Sequence, residues 1–271
     1  MKLGLSSYTF GWAVGLSADD YPLIPLDALK LLDMTHRHGL HLVQVGDNLP
    51  LHRMGEERLH LFKEKAKELG IKIEAGARKF SEENLDLYIK LSTKLDAEIL
   101  RFVVDGENYE PDLDRVTGII KDFVPVLEKA GVTLGLENHD RIKARDFAAV
   151  VESIGSDRVG ICLDSVNSMG AGEGLEQIVD TLAPFTVNLH IKDFGIQRLP
   201  HLMGFRIDGR PAGKGMLNLP WLLEKISVHS KCRTAILEQW VVPEGEMKAT
   251  VDKEKKWAEE SLQYLKPFFE F

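Results

Sequence analysis

Two cysteines in 271 residues, Cys162 and Cys232, are too few for a disulfide framework, and both sit in apolar stretches. They are expected as buried free thiols, which suits a reducing, cytoplasmic setting. No segment approaches the roughly 20 consecutive apolar residues of a membrane span. The opening residues pair Lys2 with an apolar run, but Ser6, Ser7, Tyr8 and Thr9 break it. No clean small-residue cleavage site follows, so export is not expected. Basic excess is missing too: 34 Lys and Arg stand against 42 Asp and Glu, a net charge of −8. That balance argues against nucleic-acid and membrane partners. No Gly-rich phosphate loop follows an early apolar run, which disfavours an open dinucleotide-binding sheet. Nor is there a linker, a low-complexity run or a charge block, so residues 1–271 are expected to form one domain.

What is present is alternation. Short runs rich in Val, Ile and Leu occur at Leu3–Ser7, Leu42–Val45, Ile71–Ala75, Ile99–Val104, Thr133–Glu137, Val159–Asp164, Thr186–Ile191 and Thr234–Glu238. Apolar on nearly every position, they suit parallel strands buried on both faces. Segments of helical period separate them: Leu26–His38, Glu56–Leu69, Ser81–Leu95, Pro111–Ala130, Ala144–Ile154, Gly174–Leu182, Leu219–Val228 and Thr250–Leu265. Ser81 offers an N-cap, and Gly39, Gly70, Gly131 and Gly155 stand where helices stop. Eight strand–helix pairs at about 30 residues each favour closure into a single (β/α)8 TIM barrel.

Four of these strands end on a metal-ligand type: Glu137 on the fifth, Asp164 on the sixth, His190 on the seventh and Glu238 on the eighth. In a barrel the C-terminal strand ends share one mouth. Taken singly, Asp164 is a natural helix cap, His190 a structural histidine, and the two glutamates solvated loop residues. Together, three carboxylates in one semi-enclosed place would repel one another without a cation. Three oxygen donors and one nitrogen suit one divalent ion, Mn²⁺ or Mg²⁺ first, with Co²⁺ and Zn²⁺ as alternatives.

At these residues the chain resembles the sugar phosphate isomerase/epimerase family, the xylose-isomerase-like barrels. The stretches that carry the resemblance are Leu136–His139, Gly160–Asp164, His190–Asp193, Pro211–Gly215 and Ile236–Glu238. They lie in the second half of the chain; the first half matches in pattern only. The resemblance implies that Glu137, Asp164, His190 and Glu238 bind the metal. It also implies that Glu137 and Glu238 exchange protons with substrate, as in the family's epimerases. Many members carry a histidine three residues after the sixth-strand aspartate; here that residue is Asn167, which weakens transfer of ketose 3-epimerase specificity. The DNA-repair branch needs histidines on earlier strands, and none occurs between His60 and His139. Family members are often oligomers, which extends to this chain the expectation of a homo-oligomer.

The chemistry expected is isomerisation or epimerisation of a small sugar or sugar-derived keto compound through a metal-stabilised enediolate. The alternative is a lyase, a decarboxylase or dehydratase acting on a keto sugar acid in carbohydrate catabolism. A non-catalytic sugar sensor is a third, weaker reading. Substrate-binding candidates are His139, Asn167, Lys192 and Trp240, although Lys192 suits an ion pair with Asp193 or Glu238 equally well, and Trp240 suits packing. The remaining candidates come from a long basic loop, Asp193 to Leu217, with Arg198, His201, Arg206, Arg210 and Lys214. This loop is expected to close over the mouth, with Arg206 and Arg210 gripping an anionic substrate group.

Overall fold

The computed structural model describes residues 1–15, 22, 24–229 and 231–270. Seven strands alternate with helices along most of the chain: β1 (Lys2–Ser6), β2 (Leu42–Val45), β3 (Lys72–Arg78), β4 (Ile99–Val103), β5 (Thr133–Glu137), β6 (Val159–Asp164) and β7 (Thr186–Ile191). A hairpin follows, β8 (Asp193–Arg198) and β9 (Phe205–Arg210), and then β10 (Thr234–Leu237). The seven strands and β10 close a parallel barrel in the order β1-β10-β7-β6-β5-β4-β3-β2. This is the (β/α)8 barrel that the alternation implies. Helices α1 (Gly11–Val14), α2 (Ala28–Arg37), α3 (Glu56–Glu68), α4 (Glu82–Lys94), α5 (Leu113–Ala130), α6 (Ala144–Ile154), α7 (Leu175–Leu182), α8 (Leu219–Ser227) and α9 (Met247–Leu265) complete the set among the described residues.

Local chemistry sets these boundaries. Ser81 caps α4 by accepting from the backbone N–H of Asn84, and Asp27 and Asp112 cap α2 and α5 in the same way. Gly131 and Gly155 end α5 and α6 at φ of 70° and 64°, a left-handed turn that side chains with a Cβ resist. Helical faces then bury Leu31, Phe62, Ile120 and Leu182 against a barrel wall whose strands are themselves almost wholly buried. Both cysteines are free; Cys162 is buried, whereas Cys232 is only half-buried, which corrects the expectation of two buried thiols.

The segment from Asp193 to Leu217 corrects a second expectation. It is not a free loop but the antiparallel hairpin β8–β9, in which Asp193 pairs with Arg210 and Arg198 with Phe205. The chain after it is tied down by one carboxylate. Asp193 Oδ1 accepts from the backbone N–H groups of Phe194 and Leu217, and Oδ2 from those of Gly213 and Gly215. A Cβ at Gly209 would collide with the carbonyl oxygen of Trp240, so the hairpin packs backbone to backbone against the chain beyond β10.

Candidate metal centre

Because β5, β6, β7 and β10 are neighbours, their C-terminal ends deliver four side chains to one place. Glu137, Asp164 and His190 end or nearly end their strands, and Glu238 follows β10 by one residue, its N–H still donating to Ile191 O at 3.1 Å. All four are buried, none more than 1% exposed. His190 Nδ1 lies 3.4 Å from Glu238 Oε1 and 3.8 Å from both Glu137 Oε1 and Asp164 Oδ2. Asp164, His190 and Glu238 each offer a donor atom within 4.8 Å of the others.

Three atoms converge in this cluster: His190 Nδ1 is buried with no hydrogen-bond partner, and the buried oxygens Asp164 Oδ2 and Glu238 Oε2 are met only by the Lys192 ammonium, 2.8 and 3.1 Å away. An unpaired buried nitrogen is costly, and the three carboxylates facing it carry more negative charge than one ammonium offsets, so the cluster suits a further cation. A divalent cation satisfies all three, and the oxygen-rich donor set fits a hard or borderline ion.

The surrounding residues hold each candidate ligand in place. Asp164 Oδ1 accepts from the N–H groups of Val166 and Asn167, both at 2.8 Å, so this carboxylate caps the following turn with one oxygen and faces the cluster with the other. Ser6 donates to Glu238 Oε1 at 3.0 Å, and Asn167 Nδ2 donates to Glu137 Oε1 at 2.7 Å. Gln44 Oε1 meets His190 Nε2 at 2.8 Å. Lys192 stands over the cluster, its Nζ 2.8 Å from Asp164 Oδ2 and 3.1 Å from Glu238 Oε2. The ion pair with Glu238 is therefore present, while Asp193 is occupied with backbone N–H groups.

The electrostatics follow from these contacts. Burial alone would push the Glu238 carboxyl up, but His190 and Lys192 outweigh it and hold the group well below the usual carboxylate range. Burial would lower His190, yet Glu238 and Glu137 raise it. Lys192 is likewise raised despite burial, by Asp164, Glu238 and Glu137, and stays an ammonium.

One group was missed. Arg101 on β4 is buried, with its Nε against Glu137 Oε2 and its Nη1 2.6 Å from Asp47 Oδ1. Asp47 also takes Arg78 Nε at 3.1 Å and the Tyr8 hydroxyl at 3.0 Å. A signal existed: arginine in the middle of the run Ile99–Val103 cannot be buried without a partner.

The other candidates divide in two. Asn167, Lys192 and Trp240 line one cleft of about 520 Å³ with Tyr8, Ile207 and Gln239, a volume suited to a small sugar derivative. His139 does not line it; its Nε2 lies 3.3 Å from Arg78 Nη2. Arg206 and Arg210 do not line that cleft. They alternate with Ile207 along β9 and so lie on the opposite hairpin face, Arg206 paired with Asp208 at 2.7 Å and Arg210 donating to Gly209 O at 2.6 Å. The side chain of Arg206 is 61% exposed. Arg206→Ala is expected to change kcat/KM by less than about fivefold, because an exposed ion pair contributes about 0.2–1 kcal/mol. Steady-state kinetics on an anionic and a neutral substrate check this; a tenfold loss confined to the anion would restore the clamp.

A buried acidic cluster at the C-terminal mouth of a (β/α)8 barrel, beside a sugar-sized cleft, is the frame of an enzyme that modifies small sugars. The profile of the xylose isomerase-like TIM barrel family matches residues 3–268, and the chain belongs to that family of sugar-modifying enzymes. A 3-oxo-isoapionate decarboxylase from Pectobacterium atrosepticum is 30% identical over 265 residues, covering 98% of this chain and 95% of that protein. Among solved structures, a Mycobacterium smegmatis xylose isomerase-like barrel in complex with magnesium aligns with a TM-score of 0.71 at 15% identity, covering 97% of each chain. D-psicose 3-epimerase of Clostridium cellulolyticum H10, with D-tagatose, aligns at 0.69 and 16% identity, covering 98% of this chain and 97% of that one. At such identities the two structures share the fold alone. Among the described residues, no helix is long and apolar enough to cross a membrane.

Proposed function

We propose that this protein is a metal-dependent decarboxylase of a 3-oxo sugar acid. The observation that carries the proposal is the ammonium of Lys192, which lines the cleft and is fixed between Asp164 and Glu238. The 30% identity with a decarboxylase of a 3-oxo acid, over nearly the whole chain, supports the same reading.

Glu137, Asp164, His190 and Glu238 would hold the ion. When bound, it supplies Lewis acidity toward a carbonyl and an adjacent hydroxyl. The rest is done by the chain itself. Epimerisation needs a carboxylate free to take a proton from carbon. Neither expected candidate is free: Glu137 is paired with Arg101 and Asn167, and Glu238 with Lys192 and Ser6. A β-keto acid needs no base. Its carbon–carboxylate bond breaks, CO₂ leaves, and the electron pair moves onto the 3-oxo oxygen. Lys192 supplies positive charge beside that oxygen, then gives a proton to the carbon that lost CO₂ and recovers one from water. Asn167, whose Oδ1 lies 3.3 Å from Lys192 Nζ, orients the ammonium. Trp240 and Tyr8 wall the cleft and limit water.

The isomerase or epimerase reading keeps one observation in its favour, the placement of Glu137 and Glu238 at the ends of β5 and β10, the strands that flank β6 and β7. Metal-loaded protein with carboxyl-labelled 3-oxo sugar acids in deuterated water separates the two. Labelled CO₂ with one deuterium incorporated per product molecule is expected. Deuterium exchange into neutral ketoses without CO₂ release would overturn the decarboxylase reading.

A further inference from the structure

Beneath the candidate ligands, the barrel interior holds polar side chains on strands that otherwise read as apolar. Gln44 comes from β2, Glu74 from β3, Cys162 from β6 and Asn188 from β7, and all four are buried. Their donors and acceptors fix one another. Glu74 Oε2 accepts from Gln44 Nε2 at 3.0 Å and from Asn188 Nδ2 at 3.2 Å. Asn188 Oδ1 accepts from Gln44 Nε2 at 3.1 Å and from the Cys162 thiol at 3.1 Å, while Asn188 Nδ2 also donates to Thr234 Oγ1 at 2.8 Å.

This network leaves the Gln44 amide one orientation. Its NH₂ must face the Glu74 carboxylate and the Asn188 carbonyl, so its own carbonyl oxygen faces His190 Nε2, 2.8 Å away. Turning the amide over would set oxygen against oxygen at Glu74 and at Asn188 together. A carbonyl only accepts, so Nε2 of His190 must carry a hydrogen. The neutral imidazole that metal ligation requires has one N–H, which leaves its lone pair on Nδ1. That nitrogen is the buried unpaired atom facing Glu137, Asp164 and Glu238.

We infer that Gln44, oriented by Glu74, is a positioning residue that holds His190 as the Nε2–H tautomer and so makes Nδ1 the metal-ligating nitrogen. The inference rests on the metal-centre reading. A ligating histidine whose second nitrogen loses its acceptor typically binds metal 10- to 100-fold more weakly, and that range, about 10- to 100-fold, is expected for Gln44→Met. Glu74→Gln keeps the shape of the network while freeing the Gln44 amide to turn, and is expected to give a smaller loss of the same sign.

The test uses isotope-labelled histidine in the full chain loaded with an NMR-active cadmium isotope, alongside metal-affinity titrations of wild type, Gln44→Met and Glu74→Gln. Scalar coupling from cadmium to His190 Nδ1, with a slowly exchanging proton on Nε2, is expected in the wild type. Coupling to Nε2, or both variants binding cadmium within twofold of wild type, would overturn the Gln44 assignment while leaving the metal centre intact. A wild-type protein that binds no cadmium, zinc or manganese would overturn the metal centre itself, and this inference with it. If Gln44→Met does not fold, the wild-type coupling and the Glu74→Gln affinity decide.

Discussion

Asp164→Ala and Glu238→Ala proteins are expected to purify folded but without bound divalent metal, and to lose turnover by at least about 1000-fold, because Lewis-acid stabilisation contributes several kcal/mol and each 1.36 kcal/mol is tenfold in rate. Each substitution deletes a buried carboxylate that faces His190 Nδ1, that of Asp164 or that of Glu238. The remaining ligands keep their places. Asn167 still holds Glu137, and Gln44 still holds His190. Folding should survive because Asp164→Ala loses capping through Oδ1, an effect of about 1 kcal/mol, and one of two ion pairs of Lys192, whose ammonium keeps Glu238 as partner. Elemental analysis after dialysis, paired with a urea melt, checks both halves. Stoichiometric metal at wild-type affinity in Asp164→Ala would show that the ion sits elsewhere.

The second half of the barrel was legible because its strands announce themselves twice. Val159–Asp164 and Thr186–Ile191 are short apolar runs, and each carries a single ligand type at or next to its end. Parallel strands buried on both faces admit few polar residues, so a carboxylate or imidazole there stands out. The same logic applies to Gln44, Glu74 and Arg101, which interrupt equally apolar runs in the first half. They are harder to read because they lie in mid-strand, where a polar group needs partners from other parts of the barrel: Glu74 meets Asn188, and Arg101 meets Glu137 on the next strand and Asp47 beyond β2. The Glu74–Asn188 pairing depends on barrel closure, which sets β3 and β7 facing each other across the interior. The hairpin was illegible for a different reason. Asp193–Arg210 alternates weakly and is rich in glycine and arginine, so its sequence resembles a mobile loop. What orders it is contact, with the Asp193 carboxylate collecting four backbone N–H groups and Gly209 packing on Trp240.

Lys192→Met is expected to separate metal binding from catalysis. In the wild type the ammonium lies within 3.1 Å of Asp164 Oδ2 and Glu238 Oε2, atoms that would also hold the ion. Removing it withdraws a like charge from beside a divalent cation, so metal affinity should hold or rise. Methionine keeps the length of the stem, and Ser165 still bonds the backbone of residue 192, so the strand end stays in place. Turnover should move the other way. A fixed charge aimed at a developing oxyanion in a site shielded from water is typically worth 100- to 1000-fold, and CO₂ release should fall by about that factor. Lys192→Arg should recover part of it, since charge persists while the donor is displaced. The two-glutamate epimerase reading gives the opposite sign: without Lys192, Glu238 loses a cation that holds its carboxyl low and becomes a better proton acceptor, so hydrogen exchange with neutral ketoses should rise. Parallel assays of CO₂ release, deuterium exchange and metal affinity on the one variant therefore decide between the chemistries. Loss of metal together with activity would return Lys192 to a purely structural role, and undiminished CO₂ release would remove it from the reaction.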